Sequence, residues 1–424
     1  MAKYQAYAEY KDSGVQWLGE IPSHWKLTRL KFLAKIRNGQ DYKHVETETG
    51  FPVMGSGGQF TFSSTYMFNR PSVLLGRKGT IDKPLYIDEP FWTVDTMYYT
   101  EVNKDIDVKY FYYLSKTILF NRYSTNTALP SMTQENLNNF EFSVPPSVFE
   151  RNQIRNFLDH ETTKIDHLIQ KQQQLIELLK EKRQAVISHA VTKGLDPNVP
   201  MKDSGVEWLG EVPEHWKIIK GGYIGTLFGS ESIQEDDVTD QGSLPFIKVS
   251  SLSAETFKLS NIDWFVSERR AKFCKAEKNY IVFPKRGAAI FTNKVNVIEV
   301  DSVIDPNLMG WKIGKQGITE YFALLLKTRG LDDIADVSTV PQINNKHIAP
   351  EKFPLPPLSE QCEIVKFVGM ELTKFDEMIL KAESAIQLMQ ERRTALISAA
   401  VTGKIDVRHW QAPTVAEAQT ELSA

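Results

Sequence analysis

The alternation of apolar and polar positions divides the chain into two kinds of segment. In residues 26–144, short stretches of β-branched and aromatic side chains are interrupted by Gly, Pro, Asn and Ser, and similar stretches recur at residues 244–249 and 280–283. Such stretches, bounded by turn-forming residues, are typical of short strands. Residues 109–119 and 318–327 have the pattern of short helices. We therefore predict an α+β fold for these parts of the chain.

The second kind of segment predicts a long helix. Residues 150–191 contain neither Gly nor Pro, and Gly194 and Pro197 follow as stop signals. Apolar residues recur there at heptad spacing, which alternates three and four positions. They are Ile154, Leu158, Ile165, Leu168, Leu175, Leu179 and Val186, and those of a second segment are Ile364, Val368, Phe375, Met378, Ala382, Ala385, Met389, Leu396 and Ala399. Each helix of about 40 residues is expected to be about 60 Å long.

The two long segments belong to a duplication of the whole chain. Residues 11–26 and 202–217 are identical at 13 of 16 positions, and looser matches continue to the ends of the predicted helices. The chain is therefore two copies of one unit. A helix with an apolar stripe must bury that stripe, and the duplication supplies an equivalent partner. We predict that the two helices pack as an antiparallel coiled coil, because a two-fold relation between copies produces that pairing. A foreign chain is the alternative partner.

Composition excludes several classes of protein. Hydrophobic residues make up 42% of the chain and charged residues 24%, as in ordinary globular proteins. No apolar run approaches the roughly 18 residues that span a bilayer, and the first residues lack the apolar core of a secretory signal. Cys274 and Cys362 are too few for a disulfide framework or a four-cysteine zinc site. We therefore expect two reduced thiols and a cytoplasmic location.

The sequence lacks the motifs of common catalytic sites. It contains no G-x-x-x-x-G-K-[ST] phosphate loop, no H-E-x-x-H zinc motif and no G-x-S-x-G nucleophile motif. Pro145-Pro146 and Pro356-Pro357 lack the acid or amide and the aromatic residue of the D/N-P-P-Y/F/W loop of amino-methyltransferases. We interpret them as extended links before the long helices. The chain is predicted to have no catalytic residue, no cofactor and no metal of its own.

Local basic clusters indicate a different chemistry, although the net charge is −3. Residues 26–44 carry six Lys or Arg against one acid, and residues 269–294 carry eight against one. Such clusters suit phosphate contacts, while a solvated face is the alternative. Arg77-Lys78-Gly79 and Lys285-Arg286-Gly287 occupy corresponding places in the two copies, each after a strand-like run. A glycine turn there would let a ligand backbone approach closely.

Further candidates for DNA contact lie in predicted loops. Gly57 and Gly58 belong to a glycine-rich stretch that could equally be a flexible turn. Other side chains in corresponding places could reach base edges, or could instead be N-caps of short helices; they are Ser131, Thr133, Gln342 and Asn344. Residues 231–240 carry five acids and no Lys or Arg. We expect this acidic stretch to face away from a phosphate backbone or to contact a protein partner.

In combination, these features resemble the specificity subunit of Type I restriction–modification systems. The resemblance rests on the two W-L-G-E-[IV]-P-x-H-W blocks, on the two Pro-Pro links, and on the matching starts and ends of the long helices, and it extends to about Arg408. We expect conserved parts of this frame to bind partners or to hold the architecture. The candidates are Trp17, Leu18, Trp208, Leu209, Leu175, Leu179, Met389 and Leu396.

The resemblance implies a domain order and a function. It assigns a first target recognition domain to residues 1–149, a conserved helix to 150–193, a second recognition domain to 194–357, a second helix to 358–406 and a tail to 407–424. Each recognition domain would read half of a bipartite, asymmetric site in double-stranded DNA. The helices would set the spacer and dock two methyltransferase subunits that bind S-adenosylmethionine. Restriction and motor subunits using ATP and Mg²⁺ would join them.

Two alternatives remain at the level of the sequence. One is a coiled-coil scaffold that organises other chains without reading a DNA sequence. It would be favoured if the globular parts bound no DNA at low salt. The other is a self-contained DNA methyltransferase, which the missing cofactor motifs disfavour. Binding of S-adenosylmethionine by the purified chain would support it.

Overall fold

The protein is described by a computed structural model, which describes residues 4–123, 130–336 and 340–412. The chain divides into two compact units. Unit 1 comprises Met1–Gln173 and Glu383–Ala424, and unit 2 comprises Gln174–Ala382. Both chain ends therefore belong to unit 1, and each long helix is shared between the units. Of the predicted tail, residues 413–424 lie outside the described part.

Unit 1 is built mainly from short strands. The strands are β1 (Tyr10–Asp12), β2 (Glu20–Pro22), β3 (Lys26–Arg29), β4 (Ala34–Asn38), β5 (Glu46–Thr47), β6 (Phe51–Gly55), β7 (Gly58–Ser63), β8 (Ser72–Gly76), β9 (Leu85–Ile87), β10 (Trp92–Thr93), β11 (Met97–Val102) and β12 (Glu141–Val144). The helices are α1 (Val108–Ser115), α2 (Phe120–Tyr123), α3 (Gln134–Asn139) and the long α4 (Val148–Lys193), which continues into unit 2. A 3₁₀ turn covers Leu30–Phe32.

In the part of the chain that the structure describes, unit 2 has the same number of strands as unit 1, with its short helices in partly different places. Its strands are β13 (Met201–Asp203), β14 (Glu211–Pro213), β15 (Lys217–Lys220), β16 (Gly225–Phe228), β17 (Val238–Thr239), β18 (Leu244–Ile247), β19 (Phe265–Val266), β20 (Tyr280–Pro284), β21 (Asn296–Ile298), β22 (Val303–Ile304), β23 (Leu308–Ile313) and β24 (Lys352–Leu355). Its helices are α5 (Gly221–Ile224), α6 (Glu268–Ala271), α7 (Thr319–Arg329), α8 (Asn345–Ile348) and the long α9 (Leu358–Val401), which continues into unit 1.

The sheets of the two units have the same connectivity. The order β4-β11-β8-β9 in unit 1 corresponds to β16-β23-β20-β21 in unit 2, and β10-β6-β7-β5 corresponds to β22-β18-β19-β17. Every residue of β8 and of β20 is buried, which explains their continuous apolar sequences. The predicted duplication and mixed α/β character are therefore confirmed.

The two long helices end where glycine adopts a left-handed conformation. α4 is followed by Gly194 with φ +79° and α9 by Gly403 with φ +75°, a conformation that glycine adopts without steric cost. Lys404 donates its backbone N–H to the carbonyl of Ala399 at 2.8 Å, which closes the last turn. α9 thus ends at Val401, and the predicted end at residue 406 was too late.

Within each unit, a segment of α4 lies beside a segment of α9. In unit 1, Arg393 donates two hydrogen bonds to the carboxylate of Asp166, at 2.8 and 3.1 Å. In unit 2, Arg183 is 3.4 Å from Asp376. The two ion pairs join corresponding positions of the duplication with the helices exchanged, since residues 166 and 183 of the first copy match residues 376 and 393 of the second.

The buried face of the long helices differs from the predicted heptad positions at three residues. Leu175 is 42% exposed, whereas its neighbour Ile176 is 8% exposed. Leu168 and Met378 are exposed in the same way, each beside an isoleucine that is more buried. The sequence offers two adjacent apolar residues at each of these places, so spacing alone did not separate them. The buried face uses the isoleucine, and the predicted seam positions Leu168, Leu175 and Met378 were wrong.

Candidate nucleic-acid interface

In unit 1, two segments that are far apart in the sequence meet at the end of a buried strand. β8 ends at Gly76, and the following Lys78 forms an isolated antiparallel bridge with Ser131. The backbone N–H of Gly79 donates to Pro130 O at 2.9 Å, and that of Met132 donates to Arg77 O at 2.9 Å. Arg77-Lys78 and Ser131-Met132-Thr133 are thereby held side by side.

Unit 2 holds its corresponding segments in the same way. Gly287 N–H donates to Pro341 O at 2.8 Å, Ile343 N–H donates to Lys285 O at 2.8 Å, and Arg286 bridges to Gln342. Gly79 and Gly287 have φ values of +83° and +75°, so each turn uses a conformation that favours glycine. The structure thus brings together, in both units, two motifs that the sequence singled out separately.

The cations of these paired motifs point towards solvent to the same degree in both units. Lys78 and Arg286 are exposed, while Arg77 and Lys285 are half-buried. Arg77 donates to Asp95 O at 3.1 Å and lies 5.9 Å from the ring centre of Tyr98. Among the residues that the structure describes, neither cation of either motif is paired with a carboxylate. Their charges are therefore free to meet an anion.

Thr133 and Asn344 are helix N-caps, as the alternative interpretation expected. The Thr133 hydroxyl accepts from Asn136 N–H at 3.1 Å at the start of α3. The Asn344 side chain accepts from Lys346 N–H at 2.9 Å at the start of α8. Both residues are exposed beside the paired motifs. Their side-chain oxygens already hold the local backbone, so any base contact must use their remaining capacity.

The glycine-rich candidate lies elsewhere in unit 1. Gly57 and Gly58 form the turn between β6 and β7, in the second four-stranded sheet rather than the sheet of β8. A Cβ atom at either glycine would meet nothing within 4 Å. The aromatic ring of Phe60, just beyond the turn, is exposed and packs edge-on against Tyr42 at 5.1 Å. The turn and the Arg77-Lys78 motif therefore belong to different sheets.

The acidic stretch of unit 2 does not face away from the basic cluster. The Glu231 carboxylate accepts from Lys275 N–H at 2.7 Å and lies 3.8 Å from Arg270. Asp237 lies 3.4 Å from Arg269. Ion pairing within the fold therefore neutralises part of both runs. That the stretch faces away from a phosphate backbone or contacts a protein partner stays a prediction. The basic cluster of residues 269–294 is not one continuous free surface.

The two W-L-G-E blocks occupy equivalent places in the frame. Leu18 and Leu209 are buried in the cores of their own units. Trp17 packs against Phe140 at 5.2 Å between ring centres, and Trp208 packs against Phe353 at 6.1 Å. Of the helix candidates, Leu396 is buried and Leu179 and Met389 are half-buried, whereas Leu175 is exposed.

Sequence analysis missed the acid to which each block is attached. In unit 1, the Glu150 carboxylate accepts from Trp25 Nε1 at 2.9 Å and contacts His24 Nε2 at 3.0 Å. In unit 2, Glu360 accepts from Trp216 Nε1 at 2.8 Å and contacts His215 Nε2 at 2.6 Å. Each acid lies in the first turn of a long helix, where the helix dipole favours negative charge. The repeated His-Trp pair and the repeated Glu were the available signal.

A second repeated arrangement places a half-buried lysine of each globular part near an arginine of a long helix. Burial, and then the Arg393 guanidinium, lower the pKa of Lys116 to about 8. Burial, and then the Arg183 guanidinium, lower the pKa of Lys327 to about 8 in the same way. Lys116 donates to Pro84 O at 2.8 Å, and Lys327 donates to Ala254 O at 2.5 Å. Desolvation disfavours the charged lysine, and a neighbouring cation adds to that effect.

Within residues 4–123, 130–336 and 340–412, no group of three or more His, Cys, Asp or Glu side chains is placed to hold a metal ion. None of the helices in the described part is long and apolar enough to cross a membrane.

Comparison with known proteins identifies a family over both copies. The profile of the Type I restriction modification DNA specificity domain matches residues 22–178 and 213–388. Among curated proteins, the chain is similar to the "Putative type I restriction enzyme MjaX specificity subunit" of Methanocaldococcus jannaschii. The two share 21% identity over 442 residues, which cover 92% of this chain and 96% of that protein.

Solved structures show the same fold. A chain from the structural work on "complex assembly and conformational transition of the type I R-M system" matches with a TM-score of 0.65 at 14% identity, over 90% of this chain and 98% of that one. The HsdS subunit from Thermoanaerobacter tengcongensis matches with a TM-score of 0.50 at 12% identity, over 91% of this chain and 98% of that one. At these identities the likeness is one of architecture.

Proposed function

The chain belongs to the family of Type I restriction modification DNA specificity domains, and from that premise we propose that it is the sequence-specific DNA-binding subunit of a Type I restriction–modification complex. Unit 1 reads one half of a bipartite, asymmetric target in double-stranded DNA, and unit 2 reads the other half. The observation that carries this proposal is the pairing of the same two motifs in both units. Each pairing presents two cations without a carboxylate partner beside exposed polar side chains.

The candidate DNA contacts divide into two roles. Arg77, Lys78, Lys285 and Arg286 contact phosphates, which fix register and supply salt-dependent affinity. The polar side chains of residues 131, 133, 342 and 344 lie next to them and face base edges, and the turn at Gly57 and Gly58 approaches the duplex from the second sheet. The corresponding side chains differ between the units, for example Ser131 and Gln342. Two different readers on one kind of frame recognise an asymmetric sequence.

The long helices form an antiparallel coiled coil that sets the spacer between the half-sites. The reciprocal ion pairs Asp166–Arg393 and Arg183–Asp376 support this pairing, since each joins α4 to α9 within its own unit. The helices and the W-L-G-E blocks also dock two methyltransferase subunits. Exposed apolar side chains of the helices, such as Leu175, are suited to such contacts because they have no buried place in their own unit.

Catalysis belongs to the partner subunits. The methyltransferase subunits bind S-adenosylmethionine and methylate adenine, which requires the base to leave the stack. The restriction and motor subunits use ATP and Mg²⁺. This chain contributes no catalytic residue and no cofactor, and it acts in the cytoplasm, where its DNA substrate lies. The motifs of a self-contained methyltransferase are missing from its sequence.

The proposal is tested by mapping methylated adenines in host cells with this gene intact and deleted. We expect a split motif with a fixed spacer to lose methylation on deletion. A complemented strain carrying the intact gene is the matched control. If the purified chain assembles with its methyltransferase partner, and that complex neither binds DNA at low salt nor methylates it, the sequence-reading function is wrong. The scaffold alternative, which the family match does not favour, would then take its place.

A further inference from the structure

The paired motifs of unit 2 border a cavity that is rich in positive charge. Its volume is about 510 Å³, within the range of about 300–1,000 Å³ that ligand sites have. Lys285, Arg286 and Lys346 line it, together with the amide side chains of Gln342 and Asn345. None of the described residues that line it is an acid. Lysine, arginine and amide donors converging on one cavity suit a small oxyanion.

A glycine keeps this cavity open. Gly229 follows β16, and a Cβ atom there would lie 3.3 Å from Lys285 Nζ. A larger side chain would therefore displace the ammonium group or occupy the space in front of it. No carboxylate of the described residues pairs with Lys285, Arg286 or Lys346, so their charge is not neutralised within the fold. Gly229 thus leaves space in front of an ammonium group that no described carboxylate neutralises.

Unit 1 has different side chains at the corresponding positions. Asn38 replaces Gly229 at the offset of the W-L-G-E blocks, and Gln134 and Glu135 stand where unit 2 has Asn345 and Lys346. Gln134 Nε2 donates to Asn38 Oδ1 at 3.0 Å, so these two amides bond to each other. The site of unit 1 thus carries two cations and one carboxylate, whereas the site of unit 2 carries three cations. The backbone arrangement is the same in the two units, but the charge of the side chains and the open space beside the cations differ.

We propose that the three cations of unit 2 hold one backbone phosphate of the DNA target inside the cavity. In unit 1, Arg77 and Lys78 contact phosphates at the surface only, and the bonded amides of Asn38 and Gln134 take the place of the enclosed phosphate. This inference rests on the proposed function and assigns a different kind of DNA contact to each unit. Unit 2 supplies the larger share of the salt-dependent affinity. Unit 1 depends more on contacts that salt does not screen.

The salt dependence of duplex binding by the full-length chain tests this assignment. Each phosphate contact contributes a slope of about one in the plot of log affinity against log salt. We expect Lys285→Ala and Lys346→Ala each to reduce the magnitude of the slope by up to about one. Affinity for the duplex should fall several-fold at low salt. Thermal unfolding of each variant establishes that it folds. The matched change in unit 1, Glu135→Gln, is expected to leave the slope almost unchanged.

The Gly229→Asn variant distinguishes phosphate binding in the cavity from attraction of DNA by diffuse surface charge. It adds the amide found in unit 1 and leaves the net charge as it is. We expect it to lower the slope as Lys285→Ala does, and we expect Asn38→Gly combined with Glu135→Lys to raise the slope. If the charge removals lower the slope while Gly229→Asn changes nothing, the cations act only as diffuse surface charge and the cavity site is overturned.

Inorganic phosphate provides an independent probe of the same cavity. Replacing chloride by phosphate at equal ionic strength should weaken duplex binding by the parent chain more than by Gly229→Asn. Equal weakening of both would overturn the site. A chain that binds duplex DNA with slopes unaffected by any of these variants refutes this inference alone. A chain that binds no duplex even at low salt when assembled with its methyltransferase partner refutes the inference and the DNA-binding function together.

Discussion

The carboxylates of Glu150 and Glu360 occupy corresponding places in the two units, but unit 1 encloses its carboxylate far more completely. The side chain of Glu150 is 4% exposed and that of Glu360 is 33% exposed. In unit 1, Tyr7 adds a third donor at 2.8 Å. In unit 2, the corresponding residue is Asn198, which is exposed, and a cavity of about 230 Å³ adjoins Glu360 and His215.

The comparison shows which features the two copies share and which side chains differ between them. The bonds between the acid and the His-Trp pair are the same in both units, as are the backbone bonds between the paired motifs. The side chains around these bonds differ, at the acid as well as at the candidate DNA surface. The two units thus share a backbone arrangement and differ in the side chains that cover it.

The largest expected effect comes from removing the enclosed carboxylate. Glu150→Ala leaves the buried donors of Trp25 and Tyr7 without an acceptor, whereas the exposed His24 can bond to water. Each buried unsatisfied group costs about 1–3 kcal/mol. We expect a loss in the free energy of unfolding of more than about 3 kcal/mol, against about 1–2 kcal/mol for Glu360→Ala, where water reaches the remaining donors. Hydrogen exchange followed by mass spectrometry measures the loss separately in peptides of each unit.

Tyr7→Phe sharpens this comparison. It removes only the third donor and should bring the stability of unit 1 closer to that of unit 2, by about 1 kcal/mol. Equal losses for Glu150→Ala and Glu360→Ala would show that enclosure of the carboxylate does not matter to stability.

The second expected effect is on the pH dependence of stability, and it should be similar in the two units. Lys116 and Lys327 have pKa values of about 8 in the folded chain, below the ordinary value of 10.5. Between pH 8 and 10, the unfolded chain therefore holds protons that the folded chain has released. The free energy of unfolding should rise with pH in this window, because the unfolded state binds more protons. Above pH 10, tyrosines with raised pKa values, such as Tyr113, oppose the rise.

Chemical denaturation at pH 8, 9 and 10 measures this rise. Lys116→Gln and Lys327→Gln should each remove a similar part of it, and the double variant should remove most of it. Lys180, which is exposed and bonded to Glu177 on the surface of α4, is the matched control, and Lys180→Gln should leave the pH dependence unchanged. A falling free energy of unfolding between pH 8 and 9 would contradict the assignment.

Some features of the fold and of the candidate site could be predicted from the sequence, and others could not. The duplication, the strands around Leu74 and Val282, and the two motifs of the candidate interface were all predictable, because each depends on local pattern or on direct repetition. The contact between Lys78 and Ser131 was not predictable, since pairing of distant segments depends on the tertiary fold. The choice between Leu175 and Ile176 depended on a register that two adjacent apolar residues leave undetermined.

Charge compensation was the other feature that pattern alone did not show. The acids at 231 and 237 and the cations at 269–275 form separate runs in the sequence, but the fold places them together. The cations that stay uncompensated beside the cavity, Lys285, Arg286 and Lys346, do not differ in type from those that are neutralised. Only the structure distinguishes the two sets, and the candidate site of unit 2 depends on that distinction.

The smallest expected effect concerns the reciprocal ion pairs of the helices. Arg393 and Asp166 form two parallel hydrogen bonds, whereas Arg183 and Asp376 approach at a single distance of 3.4 Å. Partly exposed pairs contribute up to about 1 kcal/mol when the geometry is bidentate and much less otherwise. Double-mutant cycles to Ala should give a coupling near 1 kcal/mol in unit 1 and below about 0.5 kcal/mol in unit 2.

The exchange of the two charges in one pair completes this test. Because the pair in unit 1 joins α4 to α9, Asp166→Arg alone places two arginines face to face, and Arg393→Asp in the same chain restores opposite charges. We expect the single variant to lower the melting temperature and the double variant to recover most of the loss. If the double variant is no more stable than the single one, the pair does not hold the two helices at this point. The apolar positions around Ile165 would then suffice to fix their alignment in unit 1.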